Sequence, residues 1–319
     1  MNETLSFSSI LRAADTLRGV AHVTPVVTSG QLDRLAGAHV FMKCENLQRT
    51  GAFKFRGAYY ALSRVKSGGT ARTVVTLSSG NHGQGVALAA RLFDLTAHVV
   101  MPAPRSAVKC EAVVGYGGIV WPTDDRQSAE RKVADLQAEE RAASIHAFNN
   151  LDVMAGQGTV MLELLDQVES VDVLLAPVGG GGLLSGLCVA GHQLRPALKI
   201  FACEPEGAAD AGESIKLGRI APMPNPRTIA DGLRTSLGSR TLPILREHLA
   251  GMFLVSEQEI VGAMRFAFER IKIVIEPSAA VALAPILRAE PRLAGRRIGV
   301  VLTGGNVDLT GLWSSLTTT

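Results

Sequence analysis

Short apolar runs, each followed by a polar glycine-rich turn and then a helix-length stretch, recur along most of the chain. Thr73-Val74-Val75-Thr76 is a β-branched run. It is ended by Ser78-Ser79-Gly80-Asn81-His82-Gly83-Gln84-Gly85, after which Val86 to Leu92 has helical composition. The unit repeats: Ala97 to Met101 leads through Pro102 and Pro104 to a helix near Val108 to Val114, and Gly118 to Trp121 precedes a charged helix over Ser128 to Arg141. Ile145 to Phe148 closes that group. Val171 to Val178 is almost continuously apolar, as a strand covered on both faces must be, and Lys199 to Glu204 and Arg297 to Leu302 repeat the theme. Strands alternating with helices over this length predict an α/β chain built on parallel, helix-covered sheets.

Outside those repeats the pattern predicts a helix over Ser9 to Arg18, a turn at Thr24-Pro25 and a strand over Ala38 to Lys43 that delivers the chain to the segment around Lys54. Ser256 and Glu259 have capping-box spacing, and Val255 can staple against Ile260, so a helix should start there and run to about Ile271. The proline-rich stretch Gly218 to Thr228 reads as a surface excursion.

Composition narrows the class. With 319 residues, 47% apolar and 19% charged, the chain can bury a large core, and its 5% aromatic content suits packed α/β layers. A net charge of +3 without a Lys/Arg block argues against a nucleic-acid or membrane surface and leaves room for a small anion. Cys44, Cys110, Cys188 and Cys203 are too scattered for a disulfide framework or a zinc site. An early Glu, no basic-then-apolar leader and no apolar stretch of spanning length together predict a soluble, cytoplasmic protein.

Candidate chemistry falls at the ends of the predicted strands, where ligands bind in open α/β sheets. Pro177-Val178-Gly179-Gly180-Gly181-Gly182 lies between a buried strand and an apolar helix. Four successive glycines let backbone N–H groups converge, and the helix adds its positive end, so a phosphate can be held without a lysine. The loop is neither a Walker A nor a well-formed dinucleotide turn. Ser78 to Gly83 offers hydroxyls, an amide and free N–H groups suited to an aromatic oxygen and a carboxylate, and Thr303-Gly304-Gly305-Asn306 offers one hydroxyl. Read alone, His82 suits a packing or backbone-satisfying role. Lys54 lies between Phe53 and Phe55, and an amine beside apolar rings loses hydration, which favours its neutral, nucleophilic form. Read alone it would be a surface charge.

In order and spacing, A-F-K-F-R-G around Lys54, S-S-G-N-H-G-Q-G, the tetraglycine loop and T-G-G-N resemble the fold-type II pyridoxal-phosphate enzymes, and most closely the serine/threonine dehydratase and serine racemase family. The resemblance spans nearly the whole chain, including Ala155-Gly156-Gln157-Gly158-Thr159, Ala230-Asp231-Gly232 and Glu276-Pro277-Ser278. It implies two open, mostly parallel sheets like those of the tryptophan synthase β subunit. A large domain of residues 1–69 and 148–319 and a small one of 70–147 would face each other across the active site. It also implies a homodimer.

By the same resemblance, Lys54 forms a Schiff base with pyridoxal 5'-phosphate and Phe53 packs near the cofactor. Asn81 bonds the phenolic oxygen, Gly179, Gly180, Gly181 and Gly182 cradle the phosphate, and Thr303 meets the pyridine nitrogen, where the family more often has serine. A hydroxyl there makes the ring a weak electron sink, which favours β-elimination over transamination. Ser78, Ser79, Asn81 and His82 would hold the substrate carboxylate, and Ser79 matches the residue that protonates the opposite face in serine racemases. Glu204, the carbonyl of Ala208 and Asp210 match positions that bind Mg, Mn or Ca, an oxygen set suited to a hard cation.

The implied reaction is dehydration and deamination of a β-hydroxy amino acid such as threonine, serine or 3-hydroxyaspartate to a 2-oxo acid and ammonia, with racemisation as the alternative. Phe148-Asn149-Asn150 stands where dehydratases usually show Phe-Asp-Asp, a charge change expected near the cleft. No regulatory domain follows Asn306, which points to a catabolic enzyme. A β-replacement synthase would carry a different asparagine loop, and a non-catalytic binder of a phosphorylated metabolite is the reading from another class.

Overall fold

A computed structural model describes residues 4–69 and 71–308. Its strands are β1 (Val26–Val27), β2 (His39–Lys43), β3 (Thr73–Leu77), β4 (Thr96–Pro102), β5 (Ile119–Thr123), β6 (Ala143–Ser144), β7 (Val173–Pro177), β8 (Lys199–Pro205), β9 (Gly251–Val255) and β10 (Arg297–Val301). They form a six-stranded sheet in the order β1-β2-β10-β7-β8-β9 and a four-stranded sheet in the order β5-β4-β3-β6. Every pairing is parallel except β1 with β2. The expected α/β architecture of two helix-covered sheets is present.

Along β7 the side chains alternate between two cores. Val173 and Leu175 join the layer containing the helix Pro277–Leu287, whereas Leu174 and Ala176 join the layer containing the helices Leu151–Gln167 and Gly182–Leu194. A strand buried on both faces has no polar phase, which is why this run is uniformly apolar. Full burial of each valine or leucine in it contributes about 1.5–3 kcal/mol.

The helix predicted over Ser9 to Arg18 spans Phe7–Leu17. Ser256 and Glu259 form both halves of the expected capping box, with Val255 and Ile260 fully buried beside it. The helix is α over Glu257–Phe266 and continues as a π-turn over Ala267–Ile271. Ile145 to Phe148 adds no strand: β6 stops at Ser144, and the next four residues run as a loop whose atoms line the cleft described below.

The helix Lys54–Gly68 connects the two sheets and is fastened near its start by buried ions. Arg56 donates to both oxygens of Glu45, each at 2.8 Å, and to both oxygens of Glu163, at 2.6 and 2.8 Å. Lys43, at the end of β2, donates to Glu163 at 2.7 Å, and to Gln167 and the Thr24 carbonyl at 2.8 Å each. Burial alone would push the Glu45 carboxyl up, but the Arg56 guanidinium outweighs it and holds Glu45 below its ordinary value. Burial lowers Lys43, and Glu163 opposes that shift.

Candidate active site

The carboxyl ends of β3, β4, β6, β7 and β10 meet at one cleft of about 480 Å³, lined on one side by Ser78 to His82 and on the other by Gly179 to Gly182, Asp231 to Thr235, Glu276 and Thr303. Lys54 and Phe53 lie between them. The chain is held there by its backbone: Ala52 bridges Gly304, and the Phe53 N–H donates to the Thr303 carbonyl at 3.1 Å. Lys54 is the first residue of its helix, where the positive end of the backbone dipole opposes an ammonium.

The Lys54 amine donates to the Ala147 carbonyl at 3.1 Å and sits 5.1 Å from the centre of the Phe53 ring. Burial lowers it to about 8, with Glu276 pulling the other way. The expected two-ring environment is half right. Phe55 turns away into the core beside the four-stranded sheet, packed at 5.6 Å on Tyr59, because residues two apart on a helix point in different directions.

The tetraglycine segment runs from the end of β7 into the helix Gly182–Leu194. Gly181 has a φ of +85°. A Cβ on Gly180 would lie 2.2 Å from the Phe148 ring, so only glycine lets the loop pass beneath that ring. Among the described residues, the N–H groups of Gly179, Gly180, Gly181 and Gly182 donate to no protein acceptor. Converging free donors at a helix start fit a phosphate.

The asparagine loop is engaged at both ends. Asn81 donates to Glu276 Oε1 at 2.6 Å and accepts from Asn306 at 3.0 Å, and Asn306 is itself fixed by donating to the Thr50 carbonyl at 2.7 Å. One Asn81 N–H is left over. The Ser78 hydroxyl oxygen accepts from the N–H groups of Gly80 and Gly83, at 3.3 and 3.1 Å, shaping the turn, whereas Ser79 is exposed at the cleft wall. His82 donates through Nε2 to the Ile145 carbonyl at 3.2 Å, leaving Nδ1 buried and unpartnered, and burial takes it down to about 3, so it is neutral. Thr303 is buried at the end of the last strand, among the cleft-lining residues.

Three expected positions stand apart from this cleft. Glu204, on β8, accepts from the N–H groups of Ala211 and Gly212 at 2.7 and 3.1 Å, and burial raises it to about 7. Asp210 is raised by burial and keeps Oδ2 buried without a hydrogen-bond partner, with Ala208 buried alongside. Among the described residues no group of three or more His, Cys, Asp or Glu side chains is placed to hold a metal.

The Asn149-Asn150 pair has structural duties. Asn150 caps the helix Leu151–Gln167 by accepting from Val153 at 3.0 Å, and Asn149 accepts from the Arg240 N–H at 2.9 Å. Only Phe148 of that triplet lines the cleft.

Several cleft groups carried no role in the sequence pattern. Lys109 pairs with Asp231 across the cleft, Arg126 pairs with Glu130 at 2.8 Å on its wall, and Glu276 is buried beside Lys54 and Asn81. Glu-Pro-Ser before an apolar run signals a helix start, and nothing in those letters shows the carboxyl turning inward.

A family model described as "Pyridoxal-phosphate dependent enzyme" matches residues 17–304. A serine racemase from Dictyostelium discoideum is 43% identical over 314 residues, covering 97% of each chain. An L-threo-3-hydroxyaspartate ammonia-lyase from a Pseudomonas species is 43% identical over 309 residues, covering 95% of this chain and 96% of that one. The crystal structure of a T.th. threonine deaminase superposes with a TM-score of 0.91 at 41% identity, covering 95% of this chain and 99% of that one.

Proposed function

The chain belongs to the pyridoxal-phosphate-dependent enzyme family, and from that premise we propose that it is an ammonia-lyase acting on a β-hydroxy amino acid, with 3-hydroxyaspartate, serine and threonine as the candidate substrates. The observation that carries the reading is the convergence on one cleft of a depressed lysine, four unengaged glycine N–H groups, a free asparagine N–H and a buried hydroxyl. Each matches a different part of one cofactor.

When bound, pyridoxal phosphate supplies an aldehyde for the amine to engage and a conjugated ring that accepts electron density from the substrate Cα. Gly179 to Gly182 would hold its phosphate, Asn81 its phenolic oxygen and Thr303 its ring nitrogen. The protein's own part is positional and protonic. Lys54, at about 8, has an appreciable neutral fraction near neutral pH and takes the Cα proton. The Ser78 to His82 turn, shaped by the Ser78 hydroxyl, presents N–H groups and the Ser79 hydroxyl to the substrate carboxylate. The β-hydroxyl departs as water with the proton that Lys54 took from Cα, a Cα=Cβ bond replacing the C–H and C–O bonds, and a second water hydrolyses the released enamine, through its imine tautomer, to a 2-oxo acid and ammonia.

A racemase is the second reading. Ser79, exposed in the cleft, is a hydroxyl able to return a proton from the other side, and several relatives at this level of identity are named serine racemase. The Glu204, Ala208 and Asp210 oxygens fit a divalent cation through the unpartnered Asp210 Oδ2, and we read them as a structural site for Mg, Mn or Ca.

Protein loaded with the cofactor should absorb in the visible range and form 2-oxo acid from at least one of the three hydroxy amino acids. Lys54→Ala should abolish both the band and turnover. An unchanged band in that variant would refute the role of Lys54, and turnover by none of the panel would refute the lyase.

A further inference from the structure

Three carboxyls line the cleft, and two are accounted for: Glu130 pairs with Arg126 and Asp231 with Lys109. Among the described residues Glu276 is in no ion pair. It is 3% exposed, its Oε1 accepts from Asn81 at 2.6 Å, and its Oε2 is buried with no hydrogen-bond partner at all. A buried carboxyl oxygen left bare costs free energy, so a fold that keeps it is using it or compensating it elsewhere.

The surroundings are built to admit this carboxyl. The Glu276 N–H donates to the Gly304 carbonyl at 2.9 Å, and a Cβ on Gly304 would lie 2.5 Å from Oε1 and 3.1 Å from the Asn81 amide nitrogen. The absent side chain at 304 is what gives the Glu276–Asn81 bond its space.

Resting on the lyase reading above, we propose that Glu276 is a positioning residue of the reaction: its carboxylate sets the direction of the Asn81 amide and balances the charge of Lys54. Asn81 is then held by acceptor and donor together, Glu276 on its nitrogen and Asn306 on its oxygen, so its remaining N–H has one direction. The charged groups facing Glu276 are Lys54 from the start of its helix, Lys109 from the helix Ala107–Gly115, and Asp231 from the turn that follows Ala230. Burial raises Glu276 to about 7, Lys109 and Lys54 opposing and Asp231 reinforcing, so near neutral pH the carboxyl and the Lys54 amine exchange charge over the same range.

A nearby carboxylate favours the ammonium, so its removal must lower the pH at which Lys54 becomes nucleophilic. Glu276→Gln keeps the bulk and the oxygen that accepts from Asn81 while losing the charge, and Glu276→Ala loses both. The test is trace acetylation by acetic anhydride in cofactor-free protein across pH 6 to 10, with the Lys54 peptide quantified by mass spectrometry. Both variants should show the midpoint shifted down. In cofactor-loaded protein, Glu276→Ala should change the ratio of the visible to the near-ultraviolet Schiff-base bands more than Glu276→Gln does. An unshifted Lys54 midpoint in folded Glu276→Gln overturns the charge-balancing role, and equal band ratios in wild type and Glu276→Ala overturn the orienting role. If Glu276→Ala does not fold, Asn81→Ala supplies the band ratio expected of a lost amide, and Glu276→Gln must remain closer to wild type than that. The acetylation needs no bound cofactor, so failure of the lyase reading, seen as absence of the band or of product in wild type, is distinct from failure here.

Discussion

Arg56 and Lys54 are two residues apart on one helix, and each is a cation in a protein interior. Arg56 has its guanidinium saturated by two carboxylates, and Glu163 is shared with Lys43, so every charge in that cluster meets an opposite one. Lys54 has one carbonyl at 3.1 Å, and around it stand Glu276 Oε2 and His82 Nδ1 with no partner. The first cluster is complete without a ligand. The second is an arrangement of unspent hydrogen-bonding capacity, which marks it as the place where something else binds.

The largest way to test that difference is to break the saturated cluster. Arg56→Met leaves the fully buried Glu45 without its paired cation and Glu163 with Lys43 alone, and removing one partner of a buried ion pair costs about 3–5 kcal/mol. Urea denaturation of the cofactor-free protein should show a loss of that size. A loss under about 1 kcal/mol would mean that the cluster is not the anchor of this helix.

These clusters also show how far residue order reaches. The tetraglycine loop and the Ser78 to Gly83 turn were legible because backbone geometry demands glycine at fixed places, whereas Lys54, a surface charge when read alone, was legible only through the set of motifs around it. Glu276 and Lys109 were not legible, since their burial depends on contacts with residues distant in the chain: Glu276 meets Asn81 across 195 positions. Phe55 departs from the expected two-ring environment for a local reason, as adjacency in sequence does not put two rings on the same side of a helix. Asn149 and Asn150 lie where a charge change is expected near the cleft, yet capping and turn-bridging occupy both side-chain oxygens.

An intermediate effect separates the clusters by pH. Glu45 lies below its ordinary value in the fold, so its contribution is present above that value and is lost as pH falls. Glu276 and Glu204 are raised to about 7, so their contribution is full below about 4.5 and is lost as pH rises through 7. Buried neutral His82, lowered to about 3, opposes them from pH 5 to about 6.5, where the unfolded chain holds the proton, and the cofactor-free protein should lose a net of about 1–3 kcal/mol between pH 5 and 8. Glu276→Gln should remove part of that slope. Magnesium, manganese or calcium should restore stability at pH 8 more than at pH 5, because a cation binds the ionised form of Glu204 and Asp210. A melting temperature that is flat from pH 5 to 8, with or without the cation, would contradict the raised carboxyls.

The smallest expected effect decides most about the comparison. Lys54→Met replaces a dehydrated amine by an apolar chain of similar length, on the same helix and two positions from the substitution that costs most. The amine contributes one hydrogen bond and carries a desolvation cost that its surroundings do not fully return, as its fall to about 8 shows. Removing a polar group whose partners are incomplete is close to neutral, because its own burial cost disappears with it. The cofactor-free variant should stay within about 1 kcal/mol of wild type in urea, and its visible band and turnover should both be gone. If instead Lys54→Met destabilises the cofactor-free protein as much as Arg56→Met does, the amine is held by the fold for the fold's own sake, and the contrast between a saturated anchor and an unspent site on one helix fails.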